Sequence, residues 1–200
     1  MKLRHLLPVL LLCLPVLVSA ETVDSSNLVK RGGLYYKKFT DVPFTGKLSG
    51  RRQTTYKDGK KHGPFVQYRW NGQLSEKGTY KDGKLDGPWV MYFENGRVSM
   101  KRTYKDGKQH GPVVWYHGNG QLQRKGTYKD GKRDGPWVMY HRNGQLRRKG
   151  TYKDGKRDGP WVFYESDGTK RMTRRISSST ERVYDEGSGF YKDGKKVSSQ

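Results

Sequence analysis

Gly135-Pro136-Trp137-Val138-Met139-Tyr140-His141-Arg142-Asn143-Gly144-Gln145-Leu146-Arg147-Arg148-Lys149-Gly150-Thr151-Tyr152-Lys153-Asp154-Gly155 holds two strand-like runs and two turn signals. Trp137 to Tyr140 is rich in β-formers, and Leu146 to Tyr152 is the second run. Asn143-Gly144 between them predicts a two-residue type I′ hairpin turn, in which both central residues take positive φ. Asp154-Gly155 starts the connection to whatever follows. Pro160, which lacks the donor of a central ladder position, sits where a new strand begins. A two-residue turn sets the register: Arg142 faces Gln145, His141 faces Leu146, Met139 faces Arg148 and Trp137 faces Gly150. One face then carries Trp137, Met139, Leu146 and Tyr152, with Gly150 beneath the Trp137 indole, and is the packed side. The other carries Val138, Tyr140, Arg147, Lys149 and Thr151 and is the wet, basic side. A slip of one residue would exchange the two.

The same pattern recurs along the chain. Tyr-Lys-Asp-Gly begins at Tyr56, Tyr80, Tyr104, Tyr128 and Tyr152, always 24 residues apart. Gly-Pro keeps the same step at Gly63, Gly87, Gly111, Gly135 and Gly159. Asn-Gly does so at Asn71, Asn95, Asn119 and Asn143, with Asp167-Gly168 in the fifth place. A 24-residue period with no helical segment is foreign to helical solenoids. The expected fold is all-β, an elongated antiparallel β-meander of stacked hairpin repeats. The expected divisions are a cleaved signal peptide at 1–20, a flexible segment at 21–33, a capping hairpin at 34–56, five repeats at 57–176, and a degenerate cap and tail at 177–200. In the N-terminal cap, Leu34-Tyr35-Tyr36 is expected to pair with Pro43-Phe44-Thr45-Gly46. Arg174 to Glu181 reads as a loop, and 195–200 as a loose end.

The leader rests on Lys2 and Arg4, an apolar run from Leu6 to Val18, and small residues at Val18-Ser19-Ala20 before Glu21. The run carries Pro8 and Pro15 and is shorter than the roughly 20 apolar residues of a membrane span. The expected location is periplasmic or secreted, after cleavage near Ala20. Cys13, the only cysteine, lies inside the leader behind Leu12, which does not suit a lipidation site. No disulfide framework or thiolate chemistry is therefore expected beyond it. The formal net charge is +22, of which Lys2 and Arg4 contribute two. Such a balance attracts anionic partners at long range.

No catalytic set emerges, and no cofactor or metal is expected. His117 and His141 share a column in adjacent units, but two strands at about 4.8 Å each keep them roughly 10 Å apart, too far to share an ion. His62 and His110 are further apart still, so all four read as turn and surface residues. Asp130 with Asp134 and Asp154 with Asp158 lack the run of alternating oxygen ligands of a calcium loop. A nucleophile, base and orienting group need three different residues at one place, which a repeated sheet does not offer. The surface itself remains. Tyr68, Tyr92, Tyr116, Tyr140 and Tyr164 form one column, and Lys77, Lys101, Lys125 and Lys149 another on the same face, with Arg147 beside them. Aromatics interleaved with cations grip phosphates, acidic sugars or lipid headgroups. They also serve as cross-strand pairs and solubilising charges.

Gly-Thr-Tyr-Lys-Asp-Gly-Lys-x-x-Gly-Pro-Trp-Val-x-Tyr followed by Asn-Gly-Gln-Leu resembles the MORN-repeat variant of bacterial YwqK-family antitoxin-like proteins, over Gly46 to about Gly168. The resemblance implies an all-β repeat sheet that binds other molecules, in some members a toxin that it neutralises. This chain departs from that pattern in its leader and its high positive charge. The expected function is an exported, non-enzymatic protein-interaction module of antitoxin or immunity type, with a protein partner. The rival expectation is an envelope-surface binder of anionic lipid or glycan. Nucleic acid is disfavoured, because the leader directs the chain away from the chromosome and no reader motif is present.

Overall fold

The computed structural model describes residues 20–170 and 188–199. The leader up to residue 19 and the loop read at Arg174 to Glu181 lie outside the described residues. The rest is almost entirely strand, in one 16-stranded sheet and a separate two-stranded hairpin. From Arg52–Lys57 to Lys195–Ser199 the strands pair antiparallel in sequence order, as a meander requires, with the short pieces Lys84–Leu85 and Lys132–Arg133 pairing only with the strand before them. The only helix among the described residues is one 3-10 turn, Ser25–Asn27.

The two turn types are the reverse of the sequence expectation. Asp154 and Gly155 both take positive φ, 51° and 88°, so Asp-Gly is the two-residue type I′ turn, closing the pair Lys153 with Lys156. Asp58, Asp82, Asp106, Asp130 and Asp193 repeat it, with φ of 48–50°. Asn143 stays out of the left-handed region and only Gly144 enters it, at 85°. The Gly144 N–H donates to the His141 carbonyl at 3.0 Å and the His141 N–H to that of Gln145 at 2.8 Å. This is a three-residue loop with a glycine bulge. The Asn143 side chain accepts the Gln145 N–H at 3.1 Å, an interaction that suits asparagine without positive φ.

The longer loop shifts the register by one residue, so Leu146 faces Tyr140 rather than His141. A bulge between Met139 and Tyr140, with Arg147 as the extra residue, shifts it back. Met139 faces Arg148 and Trp137 faces Gly150, as expected. Two departures thus cancel over most of the hairpin. They do move Leu146, half-buried, out of the Trp137 file and into that of Tyr140, while Arg148 joins Met139.

The packed face is made of rings and glycines. Trp137 is 1% exposed and Trp161 fully buried, and among the described residues no second layer of strands or helices lies above them. The Trp137 indole lies over Gly126 of the preceding unit, not over Gly150 as expected. Gly150 lies beneath Trp161, and Gly78 beneath Trp89. A methyl group at any of these glycines would overlap the indole, so glycine is required there by close approach. Tyr128, Trp137, Tyr152, Trp161 and Tyr191 form a continuous edge-to-face file, with centroids 5.0–6.4 Å apart. Indole N–H groups donate to the carbonyls of Thr127 and Thr151 at 3.2 and 3.0 Å. Arg133 covers Trp137 and Tyr152 and bonds the Tyr152 hydroxyl at 3.0 Å, and Arg157 covers Trp161 and Tyr191. These guanidinium planes take the place of a second layer.

The N-terminal segment 21–33, expected to be flexible, is built into the structure. Thr22–Val23 pairs parallel with Gly46–Leu48, and Asp24 caps the 3-10 turn by accepting the Ser26 N–H at 2.8 Å. Leu28–Arg31 pairs with Leu34–Lys37. The cause is apolar burial: Val23, Phe44, Leu48 and Tyr56 form a cluster, with Tyr35 4.9 Å from the Tyr56 ring. The expected pairing of 34–36 with 43–46 survives only as the Tyr36–Pro43 bridge and a 2.9 Å bond from the Phe44 N–H to the Tyr35 carbonyl. At the other end, Lys195–Ser199 is not loose but pairs with Gly189–Lys192.

Candidate binding face

The face opposite the rings is open, and one row runs straight across it. Lys77 lies between Val66 and Val90, Lys101 between Val90 and Val114, Lys125 between Val114 and Val138, and Lys149 between Val138 and Val162. A lysine on every second strand gives a spacing of roughly 10 Å. All four are exposed, while the valines between them are half-buried. None is within ion-pair distance of a carboxylate among the described residues; the pairs present are Arg31–Asp41, Lys37–Glu21, His62–Asp82 and His110–Asp130. Carboxylates sit elsewhere: Asp82, Asp106, Asp130 and Asp154 are in the Asp-Gly turns, and the Glu76 carboxylate accepts the Trp89 indole N–H at 3.1 Å on the packed side. The row is therefore cationic along its length, with an aliphatic floor.

Tyr68, Tyr92, Tyr116, Tyr140 and Tyr164 occupy the parallel row that the sequence placed beside the lysines, but all five are half-buried. The first four face Leu74, Val98, Leu122 and Leu146 across the strands. Arg147 is exposed at the bulge, and its carbonyl accepts the Tyr164 N–H at 2.8 Å. It borders a depression of about 480 Å³ shared with His117, Tyr140, His141 and Asn143.

The histidines do more than decorate turns. His117 and His141 Nε2 lie 3.4 and 3.1 Å from the carbonyls of Tyr140 and Tyr164, one unit further on. His62 and His110 Nδ1 lie 3.2 and 3.3 Å from the carboxylates of Asp82 and Asp130. Asn119 and Asn143 reach the next loop in the same way, bonding the carbonyls of Arg142 and Ser166 at 3.1 and 2.7 Å. All these contacts span 20 or 23 residues and tie unit to unit. Sequence spacing alone shows the columns but not these bonds, of which the His62 and His110 pairs lie at the Asp-Gly turns and the others at the Asn-Gly loops. No group of three His, Cys, Asp or Glu side chains that could hold a metal occurs among the described residues.

The family model of the MORN repeat variant matches four tandem segments, residues 61–82, 85–106, 109–130 and 133–154. No curated protein matches the chain. Among solved structures, a chain of the crystal structure titled as the GtfA/B complex bound to UDP and GlcNAc is 11% identical over 68% of this chain and 24% of its own length. Its TM-score is 0.20, and the likeness carries no argument about function.

Proposed function

We propose that these tandem MORN-variant repeats form an exported, non-enzymatic interaction module that offers its open Lys/Val/Tyr face to a partner protein. MORN repeats commonly mediate protein or membrane interactions, and the proteins that carry them are generally non-enzymatic. The observation that carries the proposal is the division of labour between the faces. One is filled by the chain's own rings, and the other holds four ammonium groups with no ion-pair partner among the described residues, at regular spacing above half-buried valines. A partner with an acidic surface would neutralise the lysines and cover the valines and tyrosine edges, which are suitable interface anchors. In its antitoxin-like form, suggested by the sequence resemblance, the partner is an exported protein held inactive. Export and cleavage near Ala20 are supported by the basic start, the apolar run and Val18-Ser19-Ala20.

A second reading, an anionic lipid or glycan surface, is favoured by one observation: the lysines are fully presented while the tyrosines are half-buried. Salt separates the two, because charge alone is screened and desolvated contacts are not. In a pull-down from the native cell envelope eluted in rising salt, a single protein surviving high salt is expected. Release of anionic lipid or glycan at moderate salt, with no enriched protein, establishes the second reading instead. Replacing Lys77, Lys101, Lys125 and Lys149 together by Gln should abolish lipid or glycan binding and only weaken a protein complex.

A further inference from the structure

The N-terminal hairpin Leu28–Arg31 and Leu34–Lys37 leaves a cleft of about 590 Å³ against the first repeat, within the size range of small-ligand pockets. Its walls include Tyr35, Tyr56, Gln67, Arg52 and Lys61. Among the described residues this separate hairpin has no counterpart in a later unit, and Arg52 and Lys61 give way to Glu76 and Leu85 one period on.

Three cations and one carboxylate, Asp24, line this cleft; Arg51 is stacked on Trp70, which leaves Arg52 and Lys61 to meet inside it. Neither Arg52 nor Lys61 is within ion-pair distance of an acidic group among the described residues. Burial holds the Lys61 ammonium below the usual lysine range, and Arg52 and Lys30 add repulsion, with only Glu76 acting in the other direction. The Lys61 ammonium is instead held over the rings of Tyr80 and Phe65, at 4.9 and 5.6 Å. Arg52 uses its Nε to donate to Gln67 at 3.3 Å, which orients the guanidinium and leaves its terminal nitrogens to other acceptors. The one acidic wall residue, Asp24, has an oxygen occupied by the Ser26 N–H, and that bond holds its carboxyl below the usual range. Burial pushes the Tyr56 hydroxyl up to about 12, with Tyr35 adding to the shift and Arg52 opposing it, so at neutral pH it is a donor. Converging cations, a neutral phenol, a glutamine amide and tyrosine rings suit a hydroxylated ring bearing a negative group.

We propose that this cleft binds a sugar carrying a carboxylate or phosphate, with Arg52 and Lys61 holding the anionic group and the tyrosines flanking the ring. The site is separate from the lysine row, and the proposal stands independently of it.

The test is calorimetric titration of the purified chain at low salt with galacturonate, glucose 6-phosphate, glucose and inorganic phosphate. One of the two anionic sugars is expected to bind at least tenfold more tightly than glucose and than phosphate, and which one binds identifies the group. Arg52→Gln with Lys61→Met should weaken that binding at least tenfold, methionine keeping the apolar stem over Phe65 and Tyr80. Thermal unfolding within a few degrees of the parent would show that the loss is local. The quadruple Gln variant of the lysine row should bind the sugar within twofold of the parent. Equal affinity for glucose, phosphate binding as tightly as the sugar phosphate, absence of binding by both anionic sugars, or loss of binding only in the lysine-row variant would each overturn the proposal.

Discussion

The fourth and fifth units bury a tryptophan over a glycine; the third does neither. Trp137 lies on Gly126 and Trp161 on Gly150, but in the third unit those positions hold Val113 and Arg102. Arg102 and Val113 are direct cross-strand partners, and Arg102 faces Trp89 on its other side. The large side chain has moved from one strand to its neighbour, and the small one has moved the other way. Val113 is still only 1% exposed. Close packing is therefore a property of the pair, not of either position. The exchange has a polar cost. Arg102 Nε is buried without a hydrogen-bond partner, although its guanidinium lies 5.0 Å from the Tyr104 ring centroid. The buried residues also divide here: Phe65, Trp89 and Tyr104 form one cluster, and Val113 through Tyr191 another. A repeat array is only as strong as its contacts between neighbours, and this joint is the irregular one.

Truncation should show the largest difference between the two regions. Trp161→Ala is expected to cost about 3–5 kcal/mol by chemical denaturation. Val113→Ala, removing two buried carbons at the same degree of burial, should cost about 2 kcal/mol. Equal costs would mean that the volume at the two positions is not what holds the units together.

Next in size is Gly150→Ala. The added methyl must displace the Trp161 indole, for about 1–3 kcal/mol. In a Trp161→Ala background the same change should cost less than about 1 kcal/mol, and the double-mutant cycle reads that coupling directly. Absence of coupling would show that the glycine is needed for its backbone and not for the ring above it.

Restoring the common pattern sharpens the comparison further. Arg102→Gly alone opens a gap beside Trp89, and Val113→Trp alone collides with Arg102, so each should destabilise by about 1–3 kcal/mol. Together they should return to within about 1 kcal/mol of the parent, because the volumes match again and the buried Nε is removed. If the two costs simply add, Trp115, which lies 6.0 Å from Trp137 one position along, has taken over the space and the exchange is no longer a pair.

Much of this architecture is legible in the sequence because it is periodic. The 24-residue step and the lysine row follow from periodicity and alternation, and the pairing of Trp137 with Gly150 comes out as expected because the longer loop and the bulge cancel. The turn types do not. Both Asn-Gly and Asp-Gly can enter positive φ, and which of them does so depends on whether a bulge absorbs the extra residue. Arg147 illustrates the difficulty: nothing in its local sequence marks it as the extra residue. The position of an indole over the previous glycine rather than the opposite one also needs the ring's own lean, which residue pairing leaves open. The N-terminal cleft is the least legible part. Arg52 and Lys61 come from two paired strands, but Tyr35 joins them only because a non-repeating hairpin folds back, and no period brings it into register.

The smallest expected effect concerns dynamics. Should the Arg102–Val113 joint be the weakest, opening will begin between Val98–Lys105 and Lys108–Tyr116 rather than between Gly135–Tyr140 and Leu146–Lys153. Native-state hydrogen exchange reads this strand by strand, away from the ends, where fraying dominates. A difference in opening free energy of about 1 kcal/mol corresponds to roughly fivefold faster exchange for amides bonded across the irregular joint, set against the desolvation cost of one unpartnered nitrogen. The double substitution Arg102→Gly with Val113→Trp should remove that difference. Uniform exchange in the parent would mean that the ties along the Asn-Gly loop edge, from Asn95 to the Gly118 carbonyl and from Arg97 to the Asn119 carbonyl, bridge this joint well enough to hide its packing defect. The comparison would then concern how the interior is filled and not how the array comes apart.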